Sequence, residues 1–258
     1  MDIQVKEYIQ GRLEEALRDL ERACGQPSVA AQNLGVAQCA DVVKSLLEEA
    51  GVPARLQPTP GGPPVVYGER EGASPAALLI YDHYDVQPPE PLELWTSPPF
   101  RLTVRDGRAY ARGVSDDKGH FVARLQAVRA WLKVRGRLPC TVKFFLEGEE
   151  EIGSPHLPAF LGQNRDLLKA NACLWEGGGV TWDGRPQINL GLKGIVYLDL
   201  EAQGPNRDVH SSYGGVVPNP AWRLVWALST IKAPSGRVRI RGFYDTVRRP
   251  TREELKAL

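Results

Sequence analysis

Three consecutive carboxylates, Glu149, Glu150 and Glu151, stand directly after the apolar run TVKFFL at 141–146. That run has the length and the β-branched and aromatic content of a buried strand. Acids at the carboxyl end of such a strand, with Gly148 and Gly153 around them, mark a site at the edge of an α/β sheet more often than a solvated helix face. Adjacent carboxylates repel one another and are tolerated best where a cation neutralises them.

Three further segments place acids or a histidine where strands end. YDHYDVQP at 81–88 follows the apolar AALLIY. His83 there is a candidate ligand, and Asp85 is spaced to accept a hydrogen bond from the other imidazole nitrogen and so fix the tautomer. ARGVSDDKG at 111–119 puts Asp116 and Asp117 before a helix, where two acids are also ordinary capping residues. ACLWEGGG at 172–179 ends a short strand in Glu176 and three glycines, which permit a tight turn close to a site. These positions are about 25–35 residues apart, one β-α unit each, so parallel strands bring them to one sheet edge. One imidazole among carboxylates suits zinc or another divalent transition metal. Several carboxylates point to two ions sharing a bridging Asp.

The elements that must position these residues follow from periodicity. A helix is expected from Asp2 to Cys24–Gly25, with Ile3, Ile9, Leu13, Leu17 and Leu20 on one face, and a second over 28–50, capped by Ser28 and stopped by Gly51. Short strands at 54–57, 65–68 and 76–81, a proline-rich loop at 87–100, a strand at 108–112, a helix at 117–134 and strands at 141–146 and 172–175 come next. Strands alternating with helices imply an α/β fold, a mostly parallel sheet with helices on both faces, over residues 1–191. Past Gly191 the pattern changes. GIVYLDLEAQ at 194–203 alternates like a half-wet strand, 220–231 reads as a helix, 237–241 as a strand, and Thr251 with Glu254 as a capping box opening another helix. Residues 192–258 therefore read as the first part of an α+β domain, too small to bury a good core by itself.

The chain has 258 residues, 42% hydrophobic and 24% charged, in the range of an ordinary soluble globular protein. A net charge of +1 gives no basis for a nucleic-acid or acidic-membrane partner. No apolar run approaches the roughly 18 residues of a membrane span, and the charged, amphipathic start is unlike a signal peptide, so a cytoplasmic location is expected. Cys24, Cys39, Cys140 and Cys173 form no C-x-x-C pair and are expected to be buried, reduced thiols.

HYDVQP, RGVSDDKG, EGEEEIGS and VHSSYGGVVPNP, in that order, make the chain resemble the M20 metallopeptidases, and HYDVQP with HSSYGG resembles their dipeptidase branch. The resemblance implies a three-layer αβα catalytic domain followed by a ferredoxin-like lid that mediates a homodimer. It implies metal-dependent hydrolysis of the amide bond of dipeptides or small N-acyl amino acids. Two divalent ions are implied, zinc first, with manganese and cobalt also suited. His83 matches the first metal ligand and Asp85 the acid that orients it. Asp116, two positions before Lys118, matches the bridging carboxylate in preference to Asp117. Glu150 matches the general base, Glu151 the ligand beside it, and Glu176 the last carboxylate ligand. Dipeptidase relatives often carry Asp at that last position, aminoacylase-like relatives Glu. His210 matches a histidine that reaches the partner subunit's site as oxyanion donor and substrate contact, and Asn219 a substrate-binding position. His120 and His156 match nothing and read as surface or structural. Family members are usually longer, and the histidine closing their second metal site has no counterpart here, so that site is expected to be incomplete. The alternative is an inactive M20-derived fragment that binds a metal or a partner, or one that needs a second polypeptide.

Overall fold

The computed structural model of the chain describes residues 2–189 and 191–257. Its helices are α1 (Ile3–Gln10), α2 (Leu13–Gly25), α3 (Val36–Glu49), α4 (Lys118–Arg135), α5 (Leu157–Gln163), α6 (Pro220–Ile231) and α7 (Arg252–Ala257). Its strands are β1 (Ala54–Thr59), β2 (Gly62–Arg70), β3 (Gly72–His83), β4 (Thr103–Arg105), β5 (Arg108–Tyr110), β6 (Leu138–Glu147), β7 (Ala172–Leu174), β8 (Gly179–Val180) and β9 (Pro186–Gln187). The chain divides into two compact units, Met1–Leu190 and Gly191–Leu258.

The first unit is built on a five-stranded sheet in the order β1-β2-β6-β3-β7. β3 pairs in parallel with β6 and with β7, while β2 is antiparallel to both β6 and β1. Four of the five strands thus run the same way. β6 alternates its burial between two helical layers, as a strand of period two must. Val142, Phe144 and Leu146 join a core with Val43, Leu46 and Leu47 of α3 and Phe121 and Leu125 of α4. Phe145 packs with Tyr81, Val65 and Phe160 of α5 on the opposite face. This is the three-layer α/β architecture.

Two helices depart from expectation. The stretch 3–25 is split at Gly11, whose N–H closes α1 onto Glu7 O at 3.0 Å; glycine carries the highest backbone entropy cost in a helix, and the chain restarts at Leu13. Ser28 caps nothing: its hydroxyl is buried and donates to Tyr84 O at 2.6 Å, so the following helix begins only at Val36.

In the second unit α6 starts on Asn219, whose Oδ1 accepts from Ala221 N at 2.8 Å. α7 carries the capping box: Glu254 N donates to Thr251 Oγ1 at 3.2 Å and Thr251 N to Glu254 Oε2 at 2.7 Å. The strands expected at 194–203 and 237–241 are absent among the described residues, apart from one bridge between Lys232 and Val238. Alternation makes a strand only where backbone groups find a partner and the apolar face finds a core; Ile195 and Tyr197 are instead exposed. The cysteines also divide. Cys24 and Cys39 are buried and Cys140 partly so, but Cys173 is exposed because it lies on the sheet's edge strand. Among the described residues no helix is long and apolar enough to cross a membrane.

Candidate metal centre

β3 and β6 pair as far as His83↔Glu147, so the chain leaving each strand emerges at the same sheet edge. β7, on the other side of β3, brings Glu176 there too. The loop before α4 brings Asp116 and Asp117, which are joined by a cis peptide bond. Two glycines allow the close approach. A Cβ on Gly148 would lie 2.5 Å from the buried Tyr84 ring, and one on Gly119 would lie 2.0 Å from Val114 O.

His83 is buried and is the point of convergence. Its Nε2 lies 2.9 Å from Asp116 Oδ1, 3.4 Å from Glu176 Oε2 and 3.9 Å from Glu150 Oε2. Its Nδ1 lies 3.1 Å from Asp85 O and 3.3 Å from Asp85 Oδ1. With Nδ1–H donated to Asp85, loss of the Nε2 proton would leave a neutral ring whose Nε2 lone pair is open to a metal. Asp85 is fully buried and does a second job: its two oxygens accept the N–H groups of Glu150 and Glu151, each at 3.1 Å. One carboxylate therefore orients both the imidazole and the acidic turn after β6.

The electrostatics are those of a site crowded with negative charge. Burial alone would lower His83, but its bonds to Asp116 and Asp85 outweigh that and pull it up to about 11. The same bond holds Asp116 below the usual carboxylate range. Burial pushes Glu176 up to about 7, with the Glu150 charge adding, and burial also raises Glu150. Glu176 Oε2 is buried and has no hydrogen-bond partner among the described residues. An orphaned carboxylate oxygen facing an imidazole nitrogen, with further carboxylates beside it, is the donor set of a divalent metal. The residues present fit one such ion.

Which aspartate would complete the set is decided by what each already bonds. His83, Asp117 and Glu176 offer atoms within 4.8 Å of one another. Yet Asp117 is buried, its Oδ2 accepts His83 N at 3.0 Å and its Oδ1 pairs with His120 Nδ1 at 2.6 Å. Asp116 touches the His83 ring and its side chain is 74% exposed, leaving it free to turn toward a ligand. Asp116 is the less committed of the two, and Asp117 with His120 supports the His83 backbone.

Other residues fall outside this cluster. Glu151 Oε2 accepts from Gln87 Nε2 at 2.7 Å. Glu149 pairs with His156 Nδ1 at 2.9 Å, apart from the His83 contacts. His210 and Asn219 belong to the second unit and line one groove of about 300 Å³ with Asp208 and Tyr213. His210 Nδ1 accepts Ser212 N at 3.2 Å, and Asn219 is the cap of α6. Sequence reasoning took Asp117 as a possible capping residue and His120 as surface or structural, and it passed over Arg124, which bonds Asp82, Tyr81 O and Trp175 O. No local pattern marks the Asp117–His83 bond or those of Arg124, because these partners are distant in the chain.

A family profile described as Peptidase family M20/M25/M40 matches residues 79–250. The chain belongs to this family. It is similar to a Cys-Gly metallodipeptidase of Schizosaccharomyces pombe, 32% identical over 93% of this chain and 54% of that protein. It is similar to the human Beta-Ala-His dipeptidase, 33% identical over 75% of this chain and 39% of that protein. Among solved structures it is similar to an M20 family metallo-carboxypeptidase from Sulfolobus solfataricus, at 42% identity and a TM-score of 0.84 over 94% of this chain and 55% of that one. The chain spans about half the length or less of these M20 relatives.

Proposed function

We propose that the protein hydrolyses the amide bond of dipeptides or small N-acyl amino acids, using a divalent metal held by His83, Asp116 and Glu176. Zinc is the ion this donor set suits first, with manganese and cobalt next. The observation that carries the reading is the convergence of Asp116, Glu176 and Glu150 on one imidazole nitrogen, with Glu176 Oε2 buried and unpartnered.

When bound, the metal supplies Lewis acidity and makes nearby water more acidic. The remaining work falls to the chain. Asp85 holds the His83 ring through Nδ1 and fixes the turn bearing Glu150. Glu150 is the base that accepts a proton from water and returns it to the leaving amine; a carboxyl raised by burial suits both transfers near neutral pH. His210 serves as donor to the developing oxyanion, in trans within a homodimer, and Asn219 contacts substrate; both roles rest on the family motif. Glu151, which accepts from Gln87 at Oε2, is the candidate ligand of a second metal. The relatives' names indicate Cys-Gly and Beta-Ala-His dipeptides and a carboxypeptidase activity. An amide one residue from a free carboxylate is common to these substrates.

The test is Glu150→Gln on Cys-Gly, β-Ala-His and N-acetyl amino acids, with zinc, manganese or cobalt supplied. Turnover is expected to fall about 10²–10⁴-fold with metal content unchanged. Unaltered turnover would sink the reading. The alternative reading is an M20-derived chain that binds metal without hydrolysis. One metal per chain and no turnover across the panel would select it.

A further inference from the structure

We propose that Arg124 is a positioning residue for the metal centre, its guanidinium tying the strand end that carries His83 to the loop that carries Glu176. This rests on the reading of His83 and Glu176 as ligands of one ion. Arg124 lies in α4 with its side chain 11% exposed. Its Nη1 donates to Tyr81 O at 3.0 Å and to Asp82 Oδ1. Its Nη2 donates to Trp175 O at 2.7 Å and lies 3.4 Å from Gly177 O. One planar group thus bonds the two residues before His83 and the residues on both sides of Glu176.

The sheet itself leaves this job open. β3 is held to β6 as far as His83, but its ladder with β7 stops at Ile80↔Leu174. Both ligands lie beyond that last pair. β7 has only three residues, all exposed, so little packing fixes the loop that follows it. A stack of the Trp175 ring on Tyr81, with centroids 4.0 Å apart, is the other tie. Arg124 therefore takes over where the ladder ends. Its rigid fork satisfies acceptors on two strands at once, which the single ammonium of lysine cannot reproduce. Asp82, fully buried, accepts the Nη1 bond that keeps the fork in place. Through this clamp Arg124 sets the His83–Glu176 separation, 3.4 Å between Nε2 and Oε2.

The experiment is a cobalt(II) titration of the whole 258-residue chain, followed by visible absorption, alongside melting of the metal-free protein. Two variants are compared with the parent. Arg124→Lys keeps the charge opposite Asp82, and the double variant Arg124→Gln with Asp82→Asn removes the buried pair together. Both are expected to bind cobalt about 10–100-fold more weakly, as other groups supporting metal ligands do, with a shifted ligand-field band and a metal-free melting point near the parent's. Affinity and spectrum unchanged in either folded variant would overturn the clamp. Collapse of the metal-free fold in both would overturn it as well, by making Arg124 a general stabiliser. A parent chain that binds no cobalt is a different failure: it removes the metal centre, and the clamp with it.

Discussion

His83 is useful at Nε2 only because Asp85 governs Nδ1. The buried Asp85 carboxylate faces that nitrogen at 3.3 Å and accepts two backbone N–H groups from the Glu150 turn. Asp85→Asn replaces one accepting oxygen with a donor and removes the charge. Metal affinity in a chelator competition is expected to drop about 10–100-fold; an unchanged value would free His83 from dependence on Asp85. Protonation supplies a second check. His83 is pulled up to about 11 and Glu176 up to about 7 in the metal-free protein. A metal must displace the proton on each, so raising the pH removes a competitor and strengthens binding. Below about 7 both groups carry protons, above it chiefly His83. Adding metal in weak buffer should therefore release more protons at pH 6 than at pH 8. Zero release at both pH values would show that neither group carries a proton in the metal-free protein. The His83, Asp85, Asp116, Glu150 and Glu176 positions stand out in the sequence because each sits in a short motif at a strand end. The bond from His83 N to Asp117, and that from Arg124 to Asp82, do not stand out: each joins neighbours that only the folded sheet brings together.

At the scale of elements, α2 and α4 are joined by a buried ion pair as well as by apolar contacts. Arg129 Nη1 lies 2.6 Å from Asp19 Oδ2, with side chains only 6% and 8% exposed, and Gln126 bonds the same oxygen at 2.7 Å. Arg129→Met leaves the Asp19 charge buried without its cation, a change that costs about 3–5 kcal/mol. Lys44→Ala, which breaks a 2.8 Å pair with Glu48 between partly exposed side chains, should cost under about 1 kcal/mol. Denaturant unfolding of both variants gives the comparison, and equal losses would contradict it. Elements were legible where the end signal was specific, as at α7, which Thr251 and Glu254 open as a capping box. They were misread where one signal stood alone. The alternation of 194–203 has no partner strand, and the helical spacing through 3–25 runs across Gly11, which breaks it.

For the whole molecule, the placement of the core decides which functions can be separated. Both hydrophobic clusters lie within Met1–Leu190, as do His83, Asp85, Asp116, Glu150 and Glu176. The unit Gly191–Leu258 contributes no residue to those clusters, and its helix α6 leaves Trp222, Val225, Trp226 and Leu228 exposed. Cooperative stability and the proposed metal site therefore belong to the first unit, because the buried core and the proposed ligands both lie there. Residues 1–190 expressed alone should fold, melt near the temperature of the whole chain and bind metal with the same affinity. Hydrolysis should not survive the cut, since His210 and Asn219 leave with the second unit. Calorimetric melting, a metal titration and a dipeptide assay on the same preparation test the three parts together. A first unit that unfolds or loses its metal would show that the second stabilises the site. Full turnover by residues 1–190 would remove His210 and Asn219 from the reaction.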